Sequence, residues 1–248
     1  MGKLSGKVAL VTGGASGIGR ASALALAAEG AAIGIVDRNL KGAEETAAEA
    51  TRMGVKSVAA AADVADEAQV ATAFGKVTAA LGDIDILFNN AGIDTTSLLV
   101  DMPAEMWDEM IRVNLRSMFV CTKQVLPAMQ RKKWGRIINT ASQLGHKGAG
   151  LMVHYCAAKA GVIGFTRSLA YEVTSYGITV NAICPGPINT PLVQSIPQDW
   201  RDAKQKELVI GRFGNVEEVA PTVVLLASDA GSYYVGATMN MNGGDYMI

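Results

Sequence analysis

Thr12-Gly13-Gly14-Ala15-Ser16-Gly17-Ile18-Gly19 joins an apolar run, Lys7–Thr12, to an Ala/Leu-rich stretch of helical period, Gly17–Glu29. A glycine turn between strand and helix turns backbone N–H groups toward the space before the helix. A pyrophosphate can bind there, provided side chains do not block its approach. Gly13, Gly17 and Gly19 remove those side chains and permit positive φ. The spacing is Gly-x-x-x-Gly-x-Gly, not the general GxGxxG fingerprint. Its place at a strand–helix junction, more than its glycines, points to a nucleotide site.

Outward from this turn, apolar runs alternate with helical patterns. Strands are expected at Ala31–Val36, Ser57–Ala61, Asp85–Phe88, Gly135–Thr140, Ile178–Cys184 and around Thr238–Met241. Helices are expected at Leu40–Met53, Glu67–Leu81, Ala104–Lys132 with a bend at Pro127, Tyr155–Tyr176 and near Val216–Ala227. The strands are apolar throughout rather than alternating, which suits a sheet covered on both faces. The order implies an α/β fold, a doubly wound parallel sheet (Rossmann fold) with helices on both faces. The chain has 248 residues, half of them apolar. That length permits one large domain or two small ones, and the continuous alternation favours a single domain over residues 1–248. Residues 186–214 break the pattern and contain Pro187, Pro191 and Pro197. They follow a strand's carboxyl end, where open α/β sheets bind ligands, so they are a candidate substrate loop or lid; the alternative is an ordinary surface insertion.

The formal net charge is -1 with cations dispersed along the chain, which argues against a nucleic-acid partner. The cluster Arg131, Lys132, Lys133 and Arg136 reads as a solvated helix end. Cys121, Cys156 and Cys184 have neither CxxC spacing nor an even count, so they read as small buried residues. No His/Asp/Glu cluster has metal spacing, and no metal is expected. No apolar run is long enough for a membrane span. With no signal-peptide pattern at the N-terminus, a cytoplasmic location is expected.

Asp37 ends the second strand. A carboxylate there can accept hydrogen bonds from both adenosine ribose hydroxyls, and it can alternatively cap the next helix. Against a 2′-phosphate, one pair of unit charges at ~4 Å and an effective dielectric near 20 costs roughly 4 kcal/mol before screening. Asp37 therefore favours NAD over NADP, while the adjacent Arg38 could welcome the phosphate. Tyr155-Cys156-Ala157-Ala158-Lys159 puts a phenol and an ammonium on one helix face. The ammonium is expected to lower the phenol pKa toward the range of a general acid/base. Ser142, just past a strand end, can hydrogen-bond the substrate oxygen. His146 and His154 are expected to be non-catalytic, although His146 could line the pocket.

These motifs resemble the short-chain dehydrogenase/reductase family over essentially the whole chain. Thr12–Gly19 matches its glycine motif, with Gly13, Ser16, Gly17, Ile18 and Gly19 as cofactor contacts. Asp63-Val64 matches its adenine contact. Asn89-Asn90-Ala91-Gly92 matches its NNAG motif, with Asn90, Ala91 and Gly92 against the cofactor. Asn114, Ser142, Tyr155 and Lys159 match its catalytic set. Pro185-Gly186, Ile188 and Thr190 match the segment beside the nicotinamide carboxamide.

The resemblance implies an NAD(P)-dependent oxidoreductase in which Tyr155 exchanges the hydroxyl proton while hydride passes between the carbinol carbon and the nicotinamide. Lys159 would bind the nicotinamide ribose, and Asn114 would link Lys159 to solvent through water. It also implies a homotetramer. Asp94, Gln143 and His146 would give the pocket polar groups; Leu144, Met152, Leu192, Val193 and Trp200 would give it apolar walls. A secondary alcohol, polyol or sugar-derived hydroxyl, oxidised with NAD, is the first expectation for the substrate. The alternative is a 3-oxoacyl-thioester (acyl-carrier-protein) reductase, work commonly NADPH-linked in the family. A carrier protein would need a basic docking face beside the pocket. A non-catalytic nucleotide-sensing protein is the remote alternative, since such proteins usually lose the Tyr or the Lys.

Overall fold

The computed structural model describes residues 2–194 and 198–247, with Leu192 described by its backbone alone; Pro197 lies outside the described residues. The strands are β1 (Val8–Thr12), β2 (Ala32–Asp37), β3 (Ser57–Ala61), β4 (Ile86–Asn89), β5 (Gly135–Thr140), β6 (Ile178–Pro185) and β7 (Thr238–Met241). The helices are α1 (Gly17–Ala28), α2 (Leu40–Arg52), α3 (Glu67–Leu81), α4 (Ala104–Ile111), α5 (Ser117–Lys132), α6 (Leu144–Lys147), α7 (Val153–Val173), α8 (Pro191–Gln194), α9 (Gln198–Glu207) and α10 (Val216–Ala227).

The strands form one seven-stranded sheet in the order β3-β2-β1-β4-β5-β6-β7, every pair parallel. It is the expected doubly wound, Rossmann-like architecture. Successive side chains point to opposite faces, so β1 sends Ala9 and Val11 into one apolar layer and Val8 and Leu10 into the other. The first layer packs under α1, α2 and α10, the second under α3, α5 and α7. This double burial explains why β1 to β4 read as largely apolar runs. Phe88 on β4 is fully buried in the first layer and pairs in register with Val11. Phe88→Ala is expected to cost about 3–5 kcal/mol in urea unfolding. A loss below about 1 kcal/mol would contradict a close-packed layer at that point.

The strand order reverses between β1 and β4, and such a switch point opens a crevice beyond the strand ends. The turns leaving these two strands meet there. Asn90 N and Ala91 N donate to Thr12 Oγ1 at 3.0 and 3.2 Å. Asn90 Nδ2 donates to the Thr12 and Gly13 carbonyls, both at 3.2 Å.

The expected Ala104–Lys132 helix departs from expectation. Pro127 lies inside α5, and the interruption comes earlier, as a π turn over Arg112–Arg116 between α4 and α5. Such a turn inserts a residue into the helical ladder and re-aims a side chain, here Asn114. The following long helix begins at Val153, ahead of Tyr155. The loop after β6 carries two helices, α8 and α9, that no apolar period announced. Among the described residues, no helix is long and apolar enough to cross a membrane, and no group of three or more His, Cys, Asp or Glu could hold a metal ion.

Candidate active site

The glycine turn has the shape its sequence implies. Gly13 and Gly17 sit at φ +66 and +54, where side chains are strained. Gly19 serves close packing instead: a Cβ there would lie 2.1 Å from the Gly13 carbonyl oxygen. Ser16 occupies the α1 N-cap without a side-chain capping bond. Ile18 packs against the first apolar layer. Thr190, at the start of the 186–214 loop, closes over this turn, its Cγ2 3.4 Å from where a Gly17 Cβ would stand. The turn itself carries no side chain at Gly13, Gly14, Gly17 and Gly19 and offers main chain to a ligand, so the residues present fit a dinucleotide pyrophosphate.

Asp37 ends β2 beside this turn. Its Oδ2 accepts from Ala15 N at 3.0 Å and its Oδ1 from Asn39 N at 2.9 Å. The α2 N-cap is Asn39, whose side chain accepts from Gly42 N at 3.1 Å, so the capping alternative for Asp37 does not hold. Asp63 lies past β3 with its carboxylate on Arg112 Nη1 at 2.9 Å and Ala65 N at 3.0 Å. Burial raises its pKa, but these hydrogen bonds and the charges of Arg112 and Arg38 hold it below the ordinary carboxylate value. Arg112 also grips Glu109 through two nitrogens. The Asp63–Arg112–Glu109 cluster went unread in the sequence, because its members come from different elements. Val64 is buried beside it.

The catalytic candidates converge beyond the carboxyl ends of β4, β5 and β6. Ser142 follows β5 and is buried; its Oγ accepts from Leu144 N at 3.1 Å. Gln143 N donates to Pro185 O at 3.2 Å, tying this loop to the end of β6. Tyr155 and Lys159 share one face of α7, with the Lys159 ammonium 5.6 Å from the Tyr155 ring centroid. Lys159 Nζ donates to Thr140 O at 2.8 Å. In the π turn, Asn114 exchanges two bonds with Ile93, Nδ2 to O at 2.9 Å and Ile93 N to Oδ1 at 3.3 Å. Gly92 separates Asn114 from Lys159: a Cβ there would stand 2.6 Å from Asn114 Oδ1 and 3.7 Å from Lys159 Nζ.

One electrostatic expectation is reversed. Burial pushes the Tyr155 phenol up to about 12, against a smaller downward pull from Ser142. Lys159 does not lower it as expected; burial brings Lys159 itself down to about 8, with Cys184 and Asp94 pulling weakly the other way. The ammonium spends its best hydrogen bond on Thr140, and desolvation of the phenol outweighs its distant charge. Asp94 lies near both, and burial raises its carboxyl while Lys159 opposes.

Of the remaining pocket candidates, His146 stacks on Tyr246 with centroids 5.9 Å apart and lies 3.6 Å from Cys184 Sγ. His154 is fully buried, with Nε2 2.8 Å from Thr95 Oγ1. Leu144 begins α6 and Met152 precedes α7, both partly buried. Trp200 is largely exposed on α9 rather than part of an apolar wall, and the Leu192 side chain lies outside the described residues. Pro185 ends β6; Gly186 abuts Asn242, and buried Ile188 bridges to Gly214. The tail Gly243–Met247 packs on the 186–214 loop of its own chain. Ile210 N donates to Gly243 O at 3.0 Å, and Asp245 is bound by Gln143, Lys147 and Lys204. This cluster also escaped sequence reasoning: no motif announces it, and 102 positions separate Gln143 from Asp245.

Comparison with known proteins shows the family to which this fold belongs. A model described as short chain dehydrogenase matches residues 7–201. The chain is 42% identical over 243 residues to a 3-oxoacyl-(acyl-carrier-protein) reductase of Escherichia coli (strain K12), covering 98% of each. Its structure is similar to a short-chain type dehydrogenase/reductase from Mycobacterium marinum, with TM-score 0.95, 34% identity and coverage of 99% and 98% of the two chains. It is also similar to levodione reductase, with TM-score 0.92, 38% identity and coverage of 97% and 98%. The chain belongs to the short-chain dehydrogenase/reductase family and is an NAD(P)-dependent oxidoreductase acting on hydroxyl and carbonyl groups.

Proposed function

We propose that this enzyme reduces the keto group of 3-oxoacyl thioesters with NADH. The observation that carries the carbonyl chemistry is the placing of Tyr155 and Lys159 on one face of α7 beside the buried Ser142, with desolvation raising the phenol pKa to about 12. A general acid that keeps its proton suits carbonyl reduction; alcohol oxidation would need the phenolate. Full-length relatives at 40–43% identity are named 3-oxoacyl-(acyl-carrier-protein) reductases, which favours the thioester over the polyol or sugar-derived alcohol first expected. The preference for NADH rests on Asp37 alone.

In this reading a bound nicotinamide supplies the hydride. Tyr155 gives its proton to the carbonyl oxygen, and the Ser142 hydroxyl holds that oxygen in place. The Lys159 ammonium stabilises the phenolate left behind. Asn114 fixes the Ile93 main chain, and so the turn after β4 that frames the crevice. The thioester reading does not require the Arg131–Lys133 cluster. That cluster ends α5 just before β5 begins, and Lys132 pairs with Asp85 ahead of β4. It therefore sits at the amino edge of the sheet, opposite Ser142.

The test follows absorbance at 340 nm with parallel panels: acetoacetyl thioesters with reduced cofactor, and polyols, sugars and secondary alcohols with oxidised cofactor. Thioester reduction is expected to exceed every alcohol oxidation at neutral pH. Faster polyol oxidation, with no thioester turnover, would return the assignment to a polyol dehydrogenase.

A further inference from the structure

The Asp245 carboxylate is almost wholly buried, its side chain only 4% exposed, yet it receives three side chains from two separate parts of the chain. Lys147 Nζ, at the end of α6, donates to Oδ1 at 3.0 Å. Lys204 Nζ, on the loop helix α9, donates to the same oxygen at 2.7 Å. Gln143 Nε2, next to Ser142, donates to Oδ2. Burial raises the Asp245 pKa, but the hydrogen bonds and charges of Lys204 and Lys147 hold it below the ordinary carboxylate value. The group is therefore an anion, and an ionised carboxylate only accepts hydrogen bonds.

This has a consequence for Gln143. Its carboxamide must turn its NH2 toward Asp245, which sends Oε1 the other way. That oxygen is buried and has no partner among the described residues, and the residue is 3% exposed. A buried acceptor without a donor is costly and uncommon. Here it stands one residue after Ser142, which orients the reacting oxygen in the proposed function. Without Asp245 the amide could rotate, and the acceptor would no longer be held in one place.

We propose that Asp245 is a positioning residue of the active site. It fixes the Gln143 carboxamide so that Oε1 accepts a hydrogen bond from the substrate. The enzyme then prefers carbonyl substrates that carry an N–H or O–H donor able to reach that oxygen over the same carbonyls without one. Through Lys204 the same carboxylate ties α9 to the Ser142 loop, so the acceptor is set when the substrate loop is in place. The inference rests on the proposed carbonyl reduction.

The test uses the intact enzyme with NADH and two matched pairs. One pair is the N-acetylcysteamine thioester of acetoacetate, which carries an amide N–H, and the S-ethyl thioester, which does not. The other is acetoin and 2-butanone, which differ by a neighbouring hydroxyl. In at least one pair the donor-bearing member is expected to have the higher kcat/KM by about tenfold, the worth of one buried hydrogen bond. Discrimination in the first pair assigns the donor to a pantetheine-like arm, and in the second to an adjacent hydroxyl. Asp245→Asn and Gln143→Leu should each collapse that ratio toward one, chiefly through KM. The double variant should go no further, because both act on one contact. A thermal melt of each variant checks folding. Equal kcat/KM within both pairs for the unaltered enzyme overturns the inference and leaves the proposed function standing. So does an Asp245→Asn variant that slows both members equally and keeps the ratio. Absence of turnover with all four compounds overturns the proposed function, and the inference with it.

Discussion

Tyr155→Phe is expected to lower kcat for carbonyl reduction by about 10²–10⁴-fold while NADH binding stays nearly unchanged. The ring remains, so α7 keeps its packing and Lys159 keeps its bond to Thr140. What is lost is one O–H aimed at the reacting oxygen. Because burial holds that phenol up to about 12, the unaltered enzyme keeps its acid protonated through neutral and mildly alkaline pH. Lys159 sets the nearer limit. Its ammonium is brought down to about 8 by burial, so it is charged below that pH and neutral above it. A neutral amine cannot stabilise the phenolate that proton transfer leaves. Reduction should therefore decline as pH rises through about 8, well before Tyr155 itself titrates. Stopped-flow or steady-state rates at 340 nm, with cofactor binding read separately by NADH fluorescence, check both parts. Near-normal turnover by the Phe variant would remove Tyr155 from the proposed chemistry.

Asp37→Ser is expected to raise the NADPH-to-NADH ratio of kcat/KM by about 100-fold. The carboxylate is fixed at the end of β2 by Ala15 N and Asn39 N, 3.0 and 2.9 Å away. Those two bonds hold it beside the glycine turn, where the adenosine ribose is expected. A 2′-phosphate brought within ~4 Å would meet a repulsion of roughly 4 kcal/mol at an effective dielectric near 20, reduced by solvent. About 2.7 kcal/mol of it corresponds to the 100-fold change. Arg38 is exposed and its charge reaches Asp63 and Glu109, so a cation remains to receive the phosphate once the anion is gone. Matched kinetics with both cofactors test this. An unaltered enzyme that already prefers NADPH would show that Arg38, not Asp37, governs the choice.

Much of this architecture was legible because it depends on local pattern. Strands buried on both faces are largely apolar, and β1 and β2 read that way from the sequence. The glycine turn declares itself because only glycine tolerates the φ of Gly13 and Gly17. Tyr155 and Lys159 meet because four residues complete about one helical turn. What escaped depends on tertiary contact. The π turn holds neither Gly nor Pro in Arg112–Arg116; what anchors it is the pairing of Asn114 with Ile93, 21 positions away. Asn39 was passed over as the α2 cap because Asp37, two residues earlier, is an equally good capping type. The direction of the Tyr155 shift is set by burial, which spacing does not report. The Asp245 cluster joins the tail to two distant segments. The substrate class was least legible, because the pocket side chains come from loops whose mutual placement no periodicity encodes.

The most direct test of the central claim is to run the reaction with NADH deuterated at the transferable nicotinamide C4 position and an acetoacetyl thioester, and to analyse the product by mass spectrometry. The account expects a 3-hydroxyacyl thioester with deuterium at its C3 carbon, and essentially no product from Tyr155→Phe. Consumption of NADH without deuterium at that carbon, or full labelling by the Phe variant, would contradict it.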